Sequence, residues 1–171
     1  MSSTISSTLG PALGVLLIRL WLGVRGIITG LEKFAGAKVS DQPVVIEGQP
    51  NEYGLTDAAS AKFYALANYH GIPPGLLGQF QSEPLIPGFL LPVYDAMIGP
   101  AFLLLGLALI LGIFPRLSLF LTGLLYTSLT VGLILIGQDA GVAWLGIHVL
   151  LVALALLFSD RDRFALAGRR W

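Results

Sequence analysis

Three stretches without a single Asp, Glu, Lys or Arg, 96–115, 117–138 and 140–159, constrain this chain more than any other feature; they run for 20, 22 and 20 residues. A bilayer hydrocarbon core about 30 Å thick is crossed by about 20 apolar residues at a helical rise of 1.5 Å each. All three are of spanning length. The composition agrees: 55% of the 171 residues are hydrophobic and 12% charged, against about 25% charged in a soluble domain. Ten basic residues balance ten acidic ones. A soluble cytoplasmic enzyme is excluded, as is a disordered or nucleic-acid-binding chain, which would carry a charge excess. Cysteine is absent, which removes disulfide frameworks, Cys-ligated metal sites and thiol-redox catalysis together. No metal site is expected.

A fourth apolar segment, 11–34, is long enough to span but carries Arg19, Arg25, Glu32 and Lys33. An arginine at the centre of a membrane helix costs about 2.5–3.5 kcal/mol on insertion scales, so these charges need partners or a purpose. Pro11 suits a first helical turn. The expectation is a single all-α domain over 1–171: an integral membrane four-helix bundle with helices at about 11–34, 94–114, 117–137 and 141–159. Four spans put both termini and the turn at Arg116 on one side, with Arg161, Arg163, Arg169 and Arg170. The positive-inside rule then places both termini in the cytoplasm of a multi-pass plasma (inner) membrane protein. The first ten residues lack a basic run, so the first apolar segment is expected to stay as an anchor. Arg161 to Trp171 reads as an interfacial anchor.

The 58-residue connection 35–92 faces outward in this topology, with five acids against two lysines. Thr56 or Asp57 can cap a short amphipathic helix running to about Tyr69, with Ala59, Phe63, Leu66 and His70 on one face and Gly71-x-Pro73-Pro74 ending it. The apolar segment 72–92 holds five prolines. It cannot span, and is expected to lie over the bundle, as a lid or as an inert connection.

Helical spacing aligns Arg19, Gly23, Gly26, Gly30 and Lys33 in one stripe of the first helix, whose Gly26–Gly30 pair permits close helix approach. A second stripe holds Leu22, Arg25, Thr29 and Glu32. On the third helix Tyr126 shares a face with Thr122 and Thr130; on the fourth, His148 shares one with Gly141, Val152 and Ala155. At 1.5 Å per residue, an outward-opening pocket could gather Arg25, Glu32, Tyr94, Asp95, Asp139 and His148, with Arg19 and Tyr126 near mid-membrane. Each has a plainer reading: the arginines as clamps between helices, His148 and Tyr126 as hydrogen-bonded core residues.

The chain resembles the DoxX/DoxD family of small four-helix membrane proteins. The residues that carry the resemblance are RLWLG at 19–23, GLEKF at 30–34 and GLALILGIFPR at 106–116, with Asp95 where the family usually has a glutamate entering its second helix. The long outer connection is more like the DoxD-type subunit of thiosulfate:quinone oxidoreductase. The resemblance implies an integral membrane subunit of a quinone-linked redox complex, working beside protein partner subunits. It implies quinone as acceptor, with no covalently bound cofactor in this chain. In such a pocket His148 and Asp95 are the expected catalytic proton carriers, and Arg19, Arg25, Glu32, Tyr94 and Tyr126 the expected quinone- or substrate-binding residues. The alternative is a structural or assembly subunit without chemistry of its own. A small-anion transporter is the weakest reading, because no inverted repeat or broken midplane helix is evident. The glycine faces would also allow a homo-oligomer, though they serve internal packing equally well.

Overall fold

The structure, a computed structural model, describes residues 2–39, 42–43, 45–46, 49–50, 56–57 and 60–167. Its main elements are α1 (Ser2–Glu32), α2 (Pro74–Ser82), α3 (Leu90–Leu111), α4 (Pro115–Leu135) and α5 (Asp139–Leu157). Four of these are long and apolar enough to cross a membrane: α3, α4, α5 and the Leu9–Glu32 part of α1. Their surfaces carry the signature of lipid. Leu13, Leu17, Trp21, Val24, Ile28 and Leu31 form an exposed apolar stripe along α1, while Arg19, Thr122 and His148 are buried. Apolar groups outside and polar groups inside suit a hydrocarbon solvent, where polar side chains are stable only against one another. This is a multi-pass membrane protein.

The bundle is two antiparallel helix pairs, α1 with α3 and α4 with α5, joined along the α3–α4 and α1–α5 seams. Glycine governs the first pair. A Cβ on Gly106 would lie 2.7 Å from the Gly23 carbonyl oxygen and 2.9 Å from the Ile27 nitrogen, and one on Gly23 would lie 2.7 Å from Ile110. The expected small-residue stripe is therefore the seam where the two backbones touch. Leu22, Ile98, Phe102, Leu109, Leu119, Tyr126, Val152 and Ala155 form the buried core between the pairs.

Glycine also ends two helices. Gly112 and Gly137 are left-handed (φ 69° each), and the N–H groups of Ile113 and Gln138 reach back to the carbonyls of Ala108 and Leu133, both at 2.9 Å. That five-residue return closes a helix with a left-handed glycine just past its end. Phe114 is the non-glycine residue with positive φ (43°) among those described. It precedes Pro115, and a residue before proline is crowded out of the right-handed helical region; α4 starts with that proline in its first turn.

Three sequence expectations change. Pro11 is the tenth residue of α1 rather than part of its first turn, because the helix begins at Ser2. The helix expected to run from Thr56 to Tyr69 is absent. In its place Thr56–Asp57 (β5) and Ser60–Tyr64 (β6) are strands, followed by a single 3-10 turn at Leu66–Asn68. They pair antiparallel with Gln42–Pro43 (β2) and Ala35–Val39 (β1), while Val45–Ile46 (β3) pairs with Gln49–Pro50 (β4), three nested ladders in one hairpin-like arm. The spacings of four and three between Ala59, Phe63 and Leu66 fit a helix locally. Cross-strand pairing with the segment leaving α1 overrides it, because strand formation depends on what lies alongside. The short helix of the loop is α2, inside the proline-rich segment. Pro74 opens it at the first helical position, where proline's missing N–H has no partner to lose, so the residues read as a stop are a start.

At the end of the bundle that holds the termini, the chain after α5 folds back. The Leu166 and Ala167 N–H groups donate to the Gly112 carbonyl, at 3.1 and 3.3 Å, and Phe114 N–H donates to the Ala167 carbonyl at 3.0 Å. Asp162 meets Arg19 in an ion pair whose side chains are 2% and 1% exposed. Arg169, Arg170 and Trp171 lie outside the described residues.

Candidate functional site

Between the two helix pairs, at the opposite end from the tail, lies a cavity of about 490 Å³. Volumes of 300–1,000 Å³ are usual for small-molecule sites. Its walls are mostly apolar, from α3, α4 and α5, and its cover is the segment from Gly71 to Leu90 that includes α2. That cover is seated at three places. The Ile72 N–H donates to Asp95 Oδ1 at 2.6 Å, Gln138 Nε2 donates to Gln79 Oε1 at 3.4 Å, and a Cβ on Gly132 would come within 3.4 Å of the Phe80 ring. The segment expected to lie over the bundle covers the cavity, with α2 across it.

The polar groups inside are few. Arg25, Thr29 and Lys33 line the cavity from α1, spaced four residues apart and so on one face. Arg25 is half-buried, and no ion pair among the described residues involves it. Lys33 stands at the outer end of this face. Burial pushes its ammonium below the usual lysine range, and the nearby Asp95 carboxylate offsets that only in part. Among the described residues no carboxylate lines the cavity, so this wall is net cationic.

At the inner end, Tyr126 and His148 pack with ring centroids 5.0 Å apart, and Phe102 and Trp144 flank them at 5.7 and 5.5 Å. His148 Nδ1 lies 2.9 Å from the Trp144 carbonyl oxygen. Since a carbonyl only accepts, Nδ1 carries the proton, and in neutral imidazole Nε2 is then a bare acceptor. The buried Nε2 of His148 and the buried hydroxyl of Tyr126 have no protein partner among the described residues. Buried polar atoms are nearly always hydrogen-bonded, and both residues belong to the cavity lining. Tyr94, also on the wall, has its hydroxyl 2.8 Å from Ser128 Oγ and ties α3 to α4.

The residues singled out in the sequence divide accordingly. Arg25, Tyr94, Tyr126 and His148 are brought together around the cavity; Arg19, Glu32, Asp95 and Asp139 are not. Glu32 accepts from Lys62 Nζ at 2.9 and 3.0 Å and from the Tyr64 hydroxyl at 3.2 Å, at the base of the β-arm. Asp95 receives the Ile72 N–H, and its backbone carbonyl receives the Tyr69 hydroxyl at 2.5 Å. It pins the covering segment to α3.

Arg19 differs from expectation in depth. Its guanidinium packs against Gly112, just past the end of α3, donates from Nε to the Leu109 carbonyl at 2.7 Å and pairs with Asp162. It therefore sits at the rim of the bundle rather than mid-span, because α1 extends beyond its neighbours at that end. Lys33 joins the pocket, which helical faces alone do not assign to it; the signal is its spacing of eight from Arg25, obscured by its equal fit to the glycine stripe. The chain matches no protein family, no curated protein and no solved structure in comparisons with each.

Proposed function

We propose that this protein is a DoxX-like membrane subunit of a quinone-linked redox complex, in which the cavity holds the head of a quinone-class ligand. The observation that carries the reading is the pair of unpartnered buried groups, Tyr126 Oη and His148 Nε2, on an apolar wall that also presents Arg25. A quinone ring offers two carbonyl acceptors, which the Arg25 guanidinium and the Tyr126 hydroxyl can satisfy as donors. Its two-electron reduction needs two protons, and the resulting hydroxyls donate; a bare imidazole nitrogen is their acceptor and, when protonated, a proton source. His148 thus holds or moves the proton, and Arg25 and Tyr126 orient the ring. The chain has no cysteine, so electrons come from a partner subunit rather than from thiol chemistry here.

In this reading the protein lies in the plasma membrane with both termini cytoplasmic, and the β-arm and α2 face outward. Arg116, Arg161 and Arg163 at the termini end support that orientation. Single cysteines introduced by Leu166→Cys and Ser82→Cys, both in a cysteine-free background, report it directly: an impermeant thiol reagent added to intact cells labels the second and spares the first. The functional reading is tested by mild-detergent purification with mass spectrometry of copurified proteins and isoprenoid quinones. Quinone recovered with the native protein and lost from Arg25→Ala and His148→Leu, with complex yield unchanged, is the expected result. Loss of complex yield without loss of bound quinone would point instead to a purely structural subunit.

A further inference from the structure

Arg25 lies seven residues before the end of α1, about 10 Å down the helix at 1.5 Å per residue. Among the described residues no counter-charge for it lines the cavity. Among the described residues Glu32 pairs with Lys62, Asp95 takes the Ile72 N–H and lies in the field of Lys33, Asp162 pairs with Arg19 at the far end, and neither Glu83 nor Asp139 lines the cavity. A guanidinium at that depth is costly unless it meets an anion, and the lining holds none.

We infer that the cavity is built for an amphiphile with an anionic head, whose charge is met by Arg25 beside the Tyr126 hydroxyl and whose apolar chain fills the chamber beneath α2. This rests on the reading of the cavity as a ligand site: the anionic amphiphile shares the Arg25 and Tyr126 contacts with the quinone head, so the two compete for one chamber. Arg25 supplies a charge-assisted, potentially bidentate contact to a carboxylate or phosphate oxygen pair.

The chain has a way out sideways. The α3–α4 seam is less extensive than the α1–α3 and α4–α5 contacts. Val131, which lines the cavity from α4, is 53% exposed. A hydrocarbon chain leaving between α3 and α4, beside the Tyr94–Ser128 hydrogen bond, continues into lipid without meeting water.

Trp144 lines the cavity, which makes occupancy measurable. In a Trp21→Phe/Trp171→Phe background, placed in phosphatidylcholine nanodiscs, Trp144 is the remaining tryptophan. Its fluorescence is titrated with a spin-labelled stearate and with the methyl ester of the same molecule, which differ only in the charge of the head. The acid is expected to quench saturably with an affinity at least about tenfold above the ester, since each charge-assisted contact is worth about a decade. Arg25→Gln removes the difference and Arg25→Lys restores part of it. Should Arg25→Gln fail to reach the membrane, the acid–ester comparison on the unaltered residue decides alone.

Competition with a long-chain alkyl phosphate separates the two sources of the anionic head; stronger displacement by the phosphate or by an unlabelled fatty acid names which it is. Equal affinity of acid and ester overturns the inference while leaving a site for a neutral ligand. Displacement of both by decylubiquinone at lower concentration than by either anion also overturns it and favours the quinone. No saturable quenching by any of these probes overturns both readings.

Discussion

Replacing Asp162 with alanine isolates the cost of the ion pair that holds the chain end onto the bundle. Both side chains are almost wholly buried, at 1% and 2% exposed. Truncation leaves the Arg19 charge in place with two carbonyls as its remaining protein partners, Leu109 at 2.7 Å and Phe164 at 3.4 Å. Neither carries a full negative charge, and lipid or tightly packed protein surrounds the site. Removing one member of such a pair costs about 3–5 kcal/mol, because the orphaned charge stays desolvated. That is a loss of roughly 10²- to 10⁴-fold in the folding equilibrium. The assay is denaturant-driven unfolding in mixed micelles, followed by circular dichroism with refolding checked. The double variant Arg19→Met/Asp162→Leu serves as control: removing both charges together should cost far less than removing one, since the pair's attraction is largely spent on its own desolvation. A single variant within about 1 kcal/mol of the parent, or a double as damaged as the single, would refute the buried-pair reasoning.

Gly106→Ala should destabilise by about 1–3 kcal/mol, the usual range for overpacking, because its new Cβ meets the backbone of Gly23 and Ile27 rather than a movable side chain. Gly146→Ala, where nothing lies within 4 Å, should be neutral in the same unfolding assay. Lys33 makes stability depend on alkaline pH. Its folded value lies below the ordinary lysine range, so between that value and the ordinary one the unfolded chain binds the extra proton, and stability rises with pH. Lys33→Met should flatten that rise; an unchanged slope in pH-resolved melts would show that another group sets it. The Glu32–Lys62 pair, whose side chains are 40% and 64% exposed, is screened by water. Glu32→Gln should leave the unfolding midpoint within scatter.

Some of the site was legible from residue spacing alone. Arg25, Tyr94, Tyr126 and His148 could be placed on inward faces at compatible depths because helical periodicity fixes both face and height. The loss of Glu32 and Asp95 from the cavity was not legible. Each was claimed by a partner far along the chain, Lys62 on β6 and the Ile72 amide. Likewise the offset of α1 against α3, which moves Arg19 from mid-span to the rim, depends on which glycines of the two helices face each other.

Hydropathy and charge distribution needed no tertiary information to demand four membrane-crossing helices, since lipid tests every residue of a span for solubility independently. The pairing of those helices, the strand pairing that replaces a plausible helix before Tyr69, the covering helix begun by Pro74 and the clamp between Arg19 and Asp162 were decided only in three dimensions. They arise from contacts between residues distant in the chain, such as the 143 positions that separate Arg19 from Asp162. No local pattern encodes the partner at the other end of such a contact.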